Sequence, residues 1–528
     1  MNATKLLCCA IVACTASSSI SSAQSSERAV FVVRIGNDTL AVENAMFSST
    51  RIDAVLLLKS PMGRITQKLE LTPTGSVARS AIAFGRGVQG DSAMQSTALS
   101  VTGDSAAVHV EMGPMKADNR IGIPKRTVPF TNLSGTSLEL ILRMSRAIGG
   151  DTAQVPIIVG PGQLLTATVI AVGSDSAVVV IGGVPLRTRT DKAGHFLGAT
   201  VPSQRLNIDR RDGDSPAGAW TPAPTSYAAP AGAPYTARDI TLRAPAGNVL
   251  AGTLTQPTNA GATSVPAVVL ITGSGAQDRD EALITIGEIR AFREIADTLS
   301  RRGIAVLRLD DRGVGGSDGG AAGATSADFA DDIRAGVEWL RTQKGIDPVR
   351  IGLVGHSEGG MIAPMIAASD PRIRAIALIA GPAKSGREIS AFQRRQAIDQ
   401  LPRLTARQKD SLFAESTRQT DSAFALPGWW HFFSTYDPLA TAKKVRTPTL
   451  ILQGETDRQV TPEQAGVLAD AMRKAGNTRV TVRLFPRLNH IMLDDPSGDP
   501  SGYAALRPQR VRKDILGVLA DWLVTNLK

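Results

Sequence analysis

The stretch RIGLVGHSEGGMIAPMIAAS, residues 350–369, decides the fold. Its opening RIGLVG has the apolar character of a buried strand, and Met361, Ile362, Met365 and Ile366 then recur at helical spacing. A serine held between strand and helix sits on a sharp turn, and the flanking glycines are needed because a side chain there would collide with the neighbouring elements. The helix start beneath it favours negative charge developing on the serine oxygen. Pro364 fits a plain helix poorly and marks a kink. The same G-x-S-x-G pattern occurs in GGSDGG, residues 315–320, and a chain with 50 glycines can generate it by accident. Ser317, however, follows its strand only after the loop DRGVGGS and precedes DGGAAGATS, a sequence that cannot hold a helix. Context therefore selects Ser357 as the candidate nucleophile.

Strands and helices alternate on both sides of this turn. DITLRA, VLAGTLTQ, AVVLIT, IAVLRLD, IRAIALIAG, PTLILQG and RVTVRLF read as strands. IGEIRAFREIADTLSRRG, SADFADDIRAGVEWLRTQ and the C-terminal stretch read as helices. Continuous apolar strands between amphipathic helices predict a mostly parallel sheet covered on both faces. Residues 382–446 interrupt the pattern with REISAFQRRQAIDQL and TARQKDSLFAESTRQ. That interval far exceeds the usual loop of about 2–6 residues and reads as a helical cap.

A serine hydroxyl is a weak nucleophile unless a base, itself oriented by an acid, lies beside it. The chain has five histidines, so elimination is practical. His109 and His195 lie in the N-terminal part, His356 is the elbow's neighbour and is expected to point away, and His431 is in the cap. His490, in FPRLNHIML directly after RVTVRLF, remains as the base. LILQGETDRQV places Asp457 in the loop after its strand, where the acid is expected. Each has a plainer alternative, since Asp457 could cap the helix beginning at TPEQ and His490 could be an ordinary loop residue. Backbone donors for an oxyanion are expected at the Glu358 amide, directly after the serine, and at the Ser274 amide in TGSGAQDRDE, with Gly275 as the alternative.

The rest of the chain differs in character. Residues 24–213 favour short strands, including AVFVVRIG, DAVLLLKS, ITQKLELT and a hairpin around GSDS, with one helix within NLSGTSLELILRMSRAIGG. Residues 214–236, rich in Pro, Ala and Gly, read as a linker, and residues 237–528 as the catalytic unit. Residues 1–23 read as a signal peptide, with Lys5, an apolar run and SSAQ as the cleavage site after Ala23, so an exported (periplasmic or secreted) protein is expected. IVAC, residues 11–14, resembles a lipoprotein box with Cys14 as the candidate lipidated residue; the short leader before Cys14 favours ordinary cleavage. Cys8, Cys9 and Cys14 all lie in this leader, which leaves no thiol for a disulfide, a metal or a nucleophile beyond it. The +10 net charge is scattered and no nucleic-acid motif is present, so no nucleic-acid partner is expected. No transmembrane segment, metal or organic cofactor is expected either.

Residues from about Tyr235 to Lys528 resemble an α/β-hydrolase of the bacterial esterase and serine-peptidase type. GSGAQDRDE, DDRGVGGS, GHSEGG, GETD and NH stand in the family's order, as do Ser357, Asp457 and His490. The segment 273–281 resembles a subgroup of bacterial esterases that carry a β-rich N-terminal extension. Thr272 departs from the histidine that many lipases have before the oxyanion glycine. The resemblance implies that Asp310 and Arg312 tie loops together, and the charged run 278–281 reads as an ion-paired scaffold, the alternative being recognition of part of the substrate. The expected function is hydrolysis of carboxylic esters through an acyl-enzyme. The alternatives are an S9- or S33-like peptidase acting on short peptides, an acyltransferase or a thioesterase. GWWHFFSTYDP gathers aromatic residues in a chain with only 4% of them, and Trp429, Trp430 and Phe433 are candidates to line an acyl pocket, or else to pack the cap.

Overall fold

A computed structural model describes residues 26–528 apart from 60–62, 86–94, 113–114, 161, 183, 259–263, 284–285, 288, 321–322, 401–404 and 426. The leader and Cys14 lie outside the described residues. The expected class is observed: a β-rich N-terminal region is followed by an α/β-hydrolase fold.

The N-terminal region is a largely antiparallel sheet with fifteen strands among the described residues; neighbours in sequence pair, except that Met115–Gly122 and Val128–Pro129 stand at opposite edges while Glu27–Ile35 and Leu206–Asp212 pair, with Ala29 opposite Asp212. Helix Gly135–Ile148 packs Leu138, Leu140, Ile141, Leu142 and Met144 into the sheet's core. Ser134 caps it by accepting the Ser137 amide at 3.1 Å, and Ser134 Oγ donates to the buried Glu43 carboxyl at 2.7 Å. Burial pushes the Glu43 carboxyl above its ordinary range, partly opposed by that bond and by the Thr136 amide. Helix and sheet meet closely at Gly135, where a β-carbon would lie 2.3 Å from the Phe31 ring.

The second sheet has eight strands: β1 (Tyr235–Arg243), β2 (Val249–Pro257), β3 (Val265–Ile271), β4 (Ala305–Leu309), β5 (Ile346–His356), β6 (Ala375–Ile379), β7 (Thr449–Gly454) and β8 (Val480–Phe485). Their spatial order is β1-β2-β4-β3-β5-β6-β7-β8, parallel from β4 onward. Along β3, Ala267, Val269 and Ile271 enter one core while Val268 and Leu270 enter the other, which is why the strand is apolar at nearly every position. Helices α1 (Ala291–Arg301), α2 (Ser326–Arg341) and α3 (Gly359–Ala367) follow β3, β4 and β5. A capping box of Thr325 and Asp328 starts α2. Pro364 lies inside α3, one turn before its end at Ala367. Between β6 and β7 stand four cap helices, α4 (Gly386–Asp399), α5 (Ala406–Phe424), α6 (Trp429–Thr435) and α7 (Pro438–Ala442), and α8 (Glu463–Lys474) and α9 (Lys513–Asn526) complete the unit.

Two expectations need correction. The helix expected over 286–303 begins only at Ala291, because Ala282 bridges to Arg290 and the Phe292 amide is taken by the Asp280 carbonyl. The segment 214–236 is not structureless, since it holds the short 3₁₀ helix Pro216–Ala219 and its last residues already belong to β1. It is also docked. Tyr227 stacks over the Arg279 guanidinium at 4.2 Å and bonds Asp278 at 3.2 Å, and Arg293 donates to the Ser226 and Ala228 carbonyls.

The close helix–sheet approach gives a direct stability test. Gly135→Ala is expected to destabilise the N-terminal region by about 1–3 kcal/mol through overpacking against Phe31, read as a lower midpoint in thermal unfolding followed by circular dichroism.

Candidate active site

Four loops at the carboxyl ends of β3, β5, β7 and β8 carry the candidate residues. At the end of β5 the chain reverses into α3 through Ser357, whose φ of 53° is a left-handed value rare for a non-glycine residue. The Ser357 amide is held by the Ile379 carbonyl at 2.9 Å. A β-carbon on Gly355 would lie 2.0 Å from the Gly359 carbonyl oxygen, and one on Gly359 would lie 2.1 Å from that of Ile271. Both glycines are therefore dictated by backbone-to-backbone approach. The rival Ser317 is fully buried, donates to the Asp310 carbonyl at 2.8 Å and accepts from the Ala251 amide at 2.9 Å. Its hydroxyl is a structural tie.

Asp457 and His490 lie together, with His490 Nδ1 2.8 Å from Asp457 Oδ2 and both side chains buried. Asp457 does not cap the helix at TPEQ, whose start has no side-chain cap; its Oδ1 accepts the Gln459 and Val460 amides in the turn before that helix, and Oδ2 accepts from Gln453. These donors fix the carboxylate so that one lone pair faces the imidazole. Nε2 is the ring nitrogen that this bond leaves for a reacting proton. The Ser357 hydroxyl makes no hydrogen bond among the described residues.

The loop after β3, the candidate oxyanion loop, is pinned on both sides of Ser274. Thr272 Oγ1 and the Gln277 amide donate to Asp311 at 2.8 and 2.9 Å, and the Gly273 amide donates to Glu281 Oε1 at 2.9 Å. The amides of Ser274 and Glu358 have no acceptor among the described residues, as an oxyanion site requires. Burial pushes the Asp311 carboxyl well above its ordinary range.

The Glu358 side chain has a second role that the sequence did not suggest. Its buried carboxyl accepts from Ser326 Oγ at 2.6 Å and from the Trp429 indole at 2.7 Å, joining α2, α3 and the cap helix α6. Burial pushes its pKa upward despite those donors. Trp429 stacks on Phe433 at 4.6 Å, and Phe433 packs on Gly386. Trp430 stands edge-on to Trp429, faces Phe424 and is 49% exposed. The three aromatic candidates thus divide: Trp429 is tied to the residue after Ser357, Phe433 packs the cap, and Trp430 is partly in solvent.

The charged run 278–281 forms an ion-paired scaffold. Arg279 bonds Asp310 through two nitrogens and reaches Asp239, while Asp280 pairs with Arg308, Arg290 and Arg293. Arg312 binds Asp332 and the Asp328 carbonyl, so Asp310 and Arg312 do tie loops together. The last member, Glu281, departs from this pattern and turns to the active site, as does His356. The expectation that His356 points away holds only with respect to Ser357: its ring is buried between Glu281 and the backbone of His490. His109 pairs with Asp118 and Glu111, His195 with Asp191, and His431 with the Phe424 carbonyl. Among the described residues no group of three or more His, Cys, Asp or Glu could hold a metal ion, and no helix is long and apolar enough to cross a membrane.

Residues 287–505 match the family model of the alpha/beta hydrolases. Esterase EstD of Thermotoga maritima is 28% identical over 292 residues, covering 54% of this chain and 67% of that protein. The uncharacterized peptidase YuxL of Bacillus subtilis is 28% identical over 236 residues, covering 43% of this chain and 31% of its own length. A solved esterase of Pyrococcus furiosus covers 58% of this chain and 97% of its own at 17% identity, with a TM-score of 0.41. The strand order gives residues 235–528 the α/β-hydrolase fold, preceded by a β-rich region, and the family match falls within that unit.

Trp429→Phe keeps the stack on Phe433 but removes a donor from the buried Glu358 carboxyl, an expected cost of about 1–3 kcal/mol near neutral pH. The penalty should shrink as pH falls through the raised pKa of this carboxyl, above the ordinary glutamate range, because a protonated carboxyl needs the indole less. Thermal midpoints of both proteins at neutral and acid pH check this.

Proposed function

We propose that this chain is an exported serine hydrolase that cleaves carboxylic esters through an acyl-enzyme. The observation that carries the reading is the 2.8 Å Asp457–His490 bond, with the His490 carbonyl held at 2.9 Å by His356, the residue before Ser357. In this reading His490 Nε2 takes the Ser357 Oγ proton as the oxygen attacks the ester carbonyl, and Asp457 keeps the ring oriented and stabilises its charged form. The amides of Glu358 and Ser274 receive the negative charge of the tetrahedral intermediate. His490 then returns the proton to the departing alcohol. A water molecule, deprotonated by the same ring, releases the acid from Ser357. None of these steps calls on a cofactor. The similarity to Esterase EstD supports ester substrates. The aromatic group around Trp429, joined to Glu358, favours short to medium acyl chains.

A second reading, a peptidase, draws on the similarity to the peptidase YuxL. The two are separated by comparing p-nitrophenyl esters of graded chain length with aminoacyl-naphthylamides. Preferred turnover of the esters is expected, and preferred turnover of the amides would reverse the assignment. Ser357→Ala should abolish both turnover and fluorophosphonate labelling. Asp457→Asn should retain the fold and lower kcat by about 10⁴-fold, since a neutral amide favours the wrong imidazole tautomer.

A further inference from the structure

A carbonyl oxygen can only accept a hydrogen bond, so the 2.9 Å contact between His356 Nε2 and the His490 carbonyl requires a proton on Nε2. The other ring nitrogen lies 2.8 Å from Glu281 Oε1, and that same oxygen accepts the Gly273 amide at 2.9 Å. All three contacts are met together when His356 carries both ring protons and Glu281 is ionised. The result is a buried imidazolium–carboxylate pair.

The pair links three loops. Glu281 holds the loop that contains Ser274, His356 is bonded in the chain to Ser357, and its Nε2 holds the backbone of His490. The geometry of Glu281 is unusual in two ways. Its φ of 50° is left-handed, a conformation kept by a non-glycine residue only where its surroundings over-determine it. Both contacts also fall on Oε1, while the buried Oε2 has no partner among the described residues.

Building on the reading of Ser357 as nucleophile, we propose that Glu281 and His356 are positioning residues that hold the base loop, the nucleophile turn and the oxyanion loop in one register. Neither touches the reacting atoms; each acts through a backbone group of a residue that does. The groups facing the His356 ring are Glu281 from the loop after β3, His490 from the loop after β8 and Asp457 from the loop after β7. Burial lowers the proton affinity of this histidine, but the charge and hydrogen bond of Glu281, the His490 carbonyl and the charge of Asp457 outweigh it and hold its pKa above the ordinary histidine value. The charged ring is the positioning form. Positioning is therefore complete below that raised pKa and lost as pH rises through it.

Glu281→Gln tests this, because a neutral glutamine cannot keep all three contacts. If His356 Nδ1–H donates to the amide oxygen, Nε2 is bare and faces the His490 carbonyl. If the amide N–H donates to Nδ1, Gly273 loses its acceptor. The expected result, with p-nitrophenyl acetate, is a fall in kcat of about 10- to 100-fold with KM within about twofold, the effect of displaced rather than missing machinery. Wild-type kcat should also fall on the alkaline side as His356 loses its proton, and that limb should be absent in Glu281→Gln. Wild-type kcat or a retained alkaline limb in Glu281→Gln, beside an inactive Ser357→Ala, overturns the positioning role and leaves the nucleophile assignment intact. Turnover by Ser357→Ala overturns the nucleophile assignment itself. Should Glu281→Gln fail to fold, the wild-type profile decides alone: a kcat that stays flat on the alkaline side for as long as the protein remains folded excludes a titrating His356.

Discussion

Backbone meets backbone at the end of β5. Gly355 and Gly359 come so close to each other, and Gly359 to Ile271 at the end of β3, that no β-carbon fits at either glycine. The rest of the site follows from this constraint. With no side chains between them, α3 starts immediately beneath Ser357, and the residue in the turn is forced to a positive φ that lifts its hydroxyl clear of the sheet. The Glu358 amide is then left without an intramolecular acceptor, and the loop after β3 lies alongside with Ser274 exposed. A strand-to-helix connection with ordinary side chains would separate these groups and dissolve the arrangement.

Around this turn the molecule buries an unusual amount of charge and balances it locally. Asp239, Asp278, Asp280 and Asp310 are set against Arg279, Arg290, Arg293 and Arg308, with most of these side chains deep in the protein. Removing ions from water is costly, and such a group persists only when each charge meets opposite charge and further donors. Burial, with the like charges of Asp280 and Asp310, raises Asp278, and burial, with the like charges of Arg293 and Arg279, lowers Arg308. This lattice is a rigid base for the oxyanion loop: Arg279 is clamped to Asp310, the next residue Asp311 holds Thr272 and Gln277, and Glu281 extends from the same run to Gly273.

Much of this was legible in the sequence because the informative signals were local. Strands with apolar residues on both faces declared a sheet sandwiched between helices, and the helix after Ser357 but not after Ser317 separated two identical motifs. Loop position after a strand pointed to Asp457 and His490, which the fold brings to 2.8 Å of each other. What escaped depended on contacts between distant segments. His356 was set aside because alternation along a strand turns it away from Ser357, yet alternation says nothing of what a buried ring meets on its other side. Glu281 looked like one more member of a charged run, since no sequence pattern separates a carboxylate paired to arginine from one paired to histidine. The late start of α1 reflects a bridge between Ala282 and Arg290 that overrides a good helical pattern. The Pro- and Ala-rich stretch carries no hint that Tyr227 finds Arg279.

That last contact makes the apparent tether part of the hydrolase itself. Burial raises the Tyr227 phenol, and its ring roofs a guanidinium that would otherwise look out on water. A truncation designed at the first strand of the second sheet would cut away this roof while sparing every candidate catalytic side chain. The excised fragment would begin life with a wetted ionic lattice directly behind its oxyanion loop, so the sensible cut for an isolated enzyme falls ahead of Ser226, whose carbonyl Arg293 also holds.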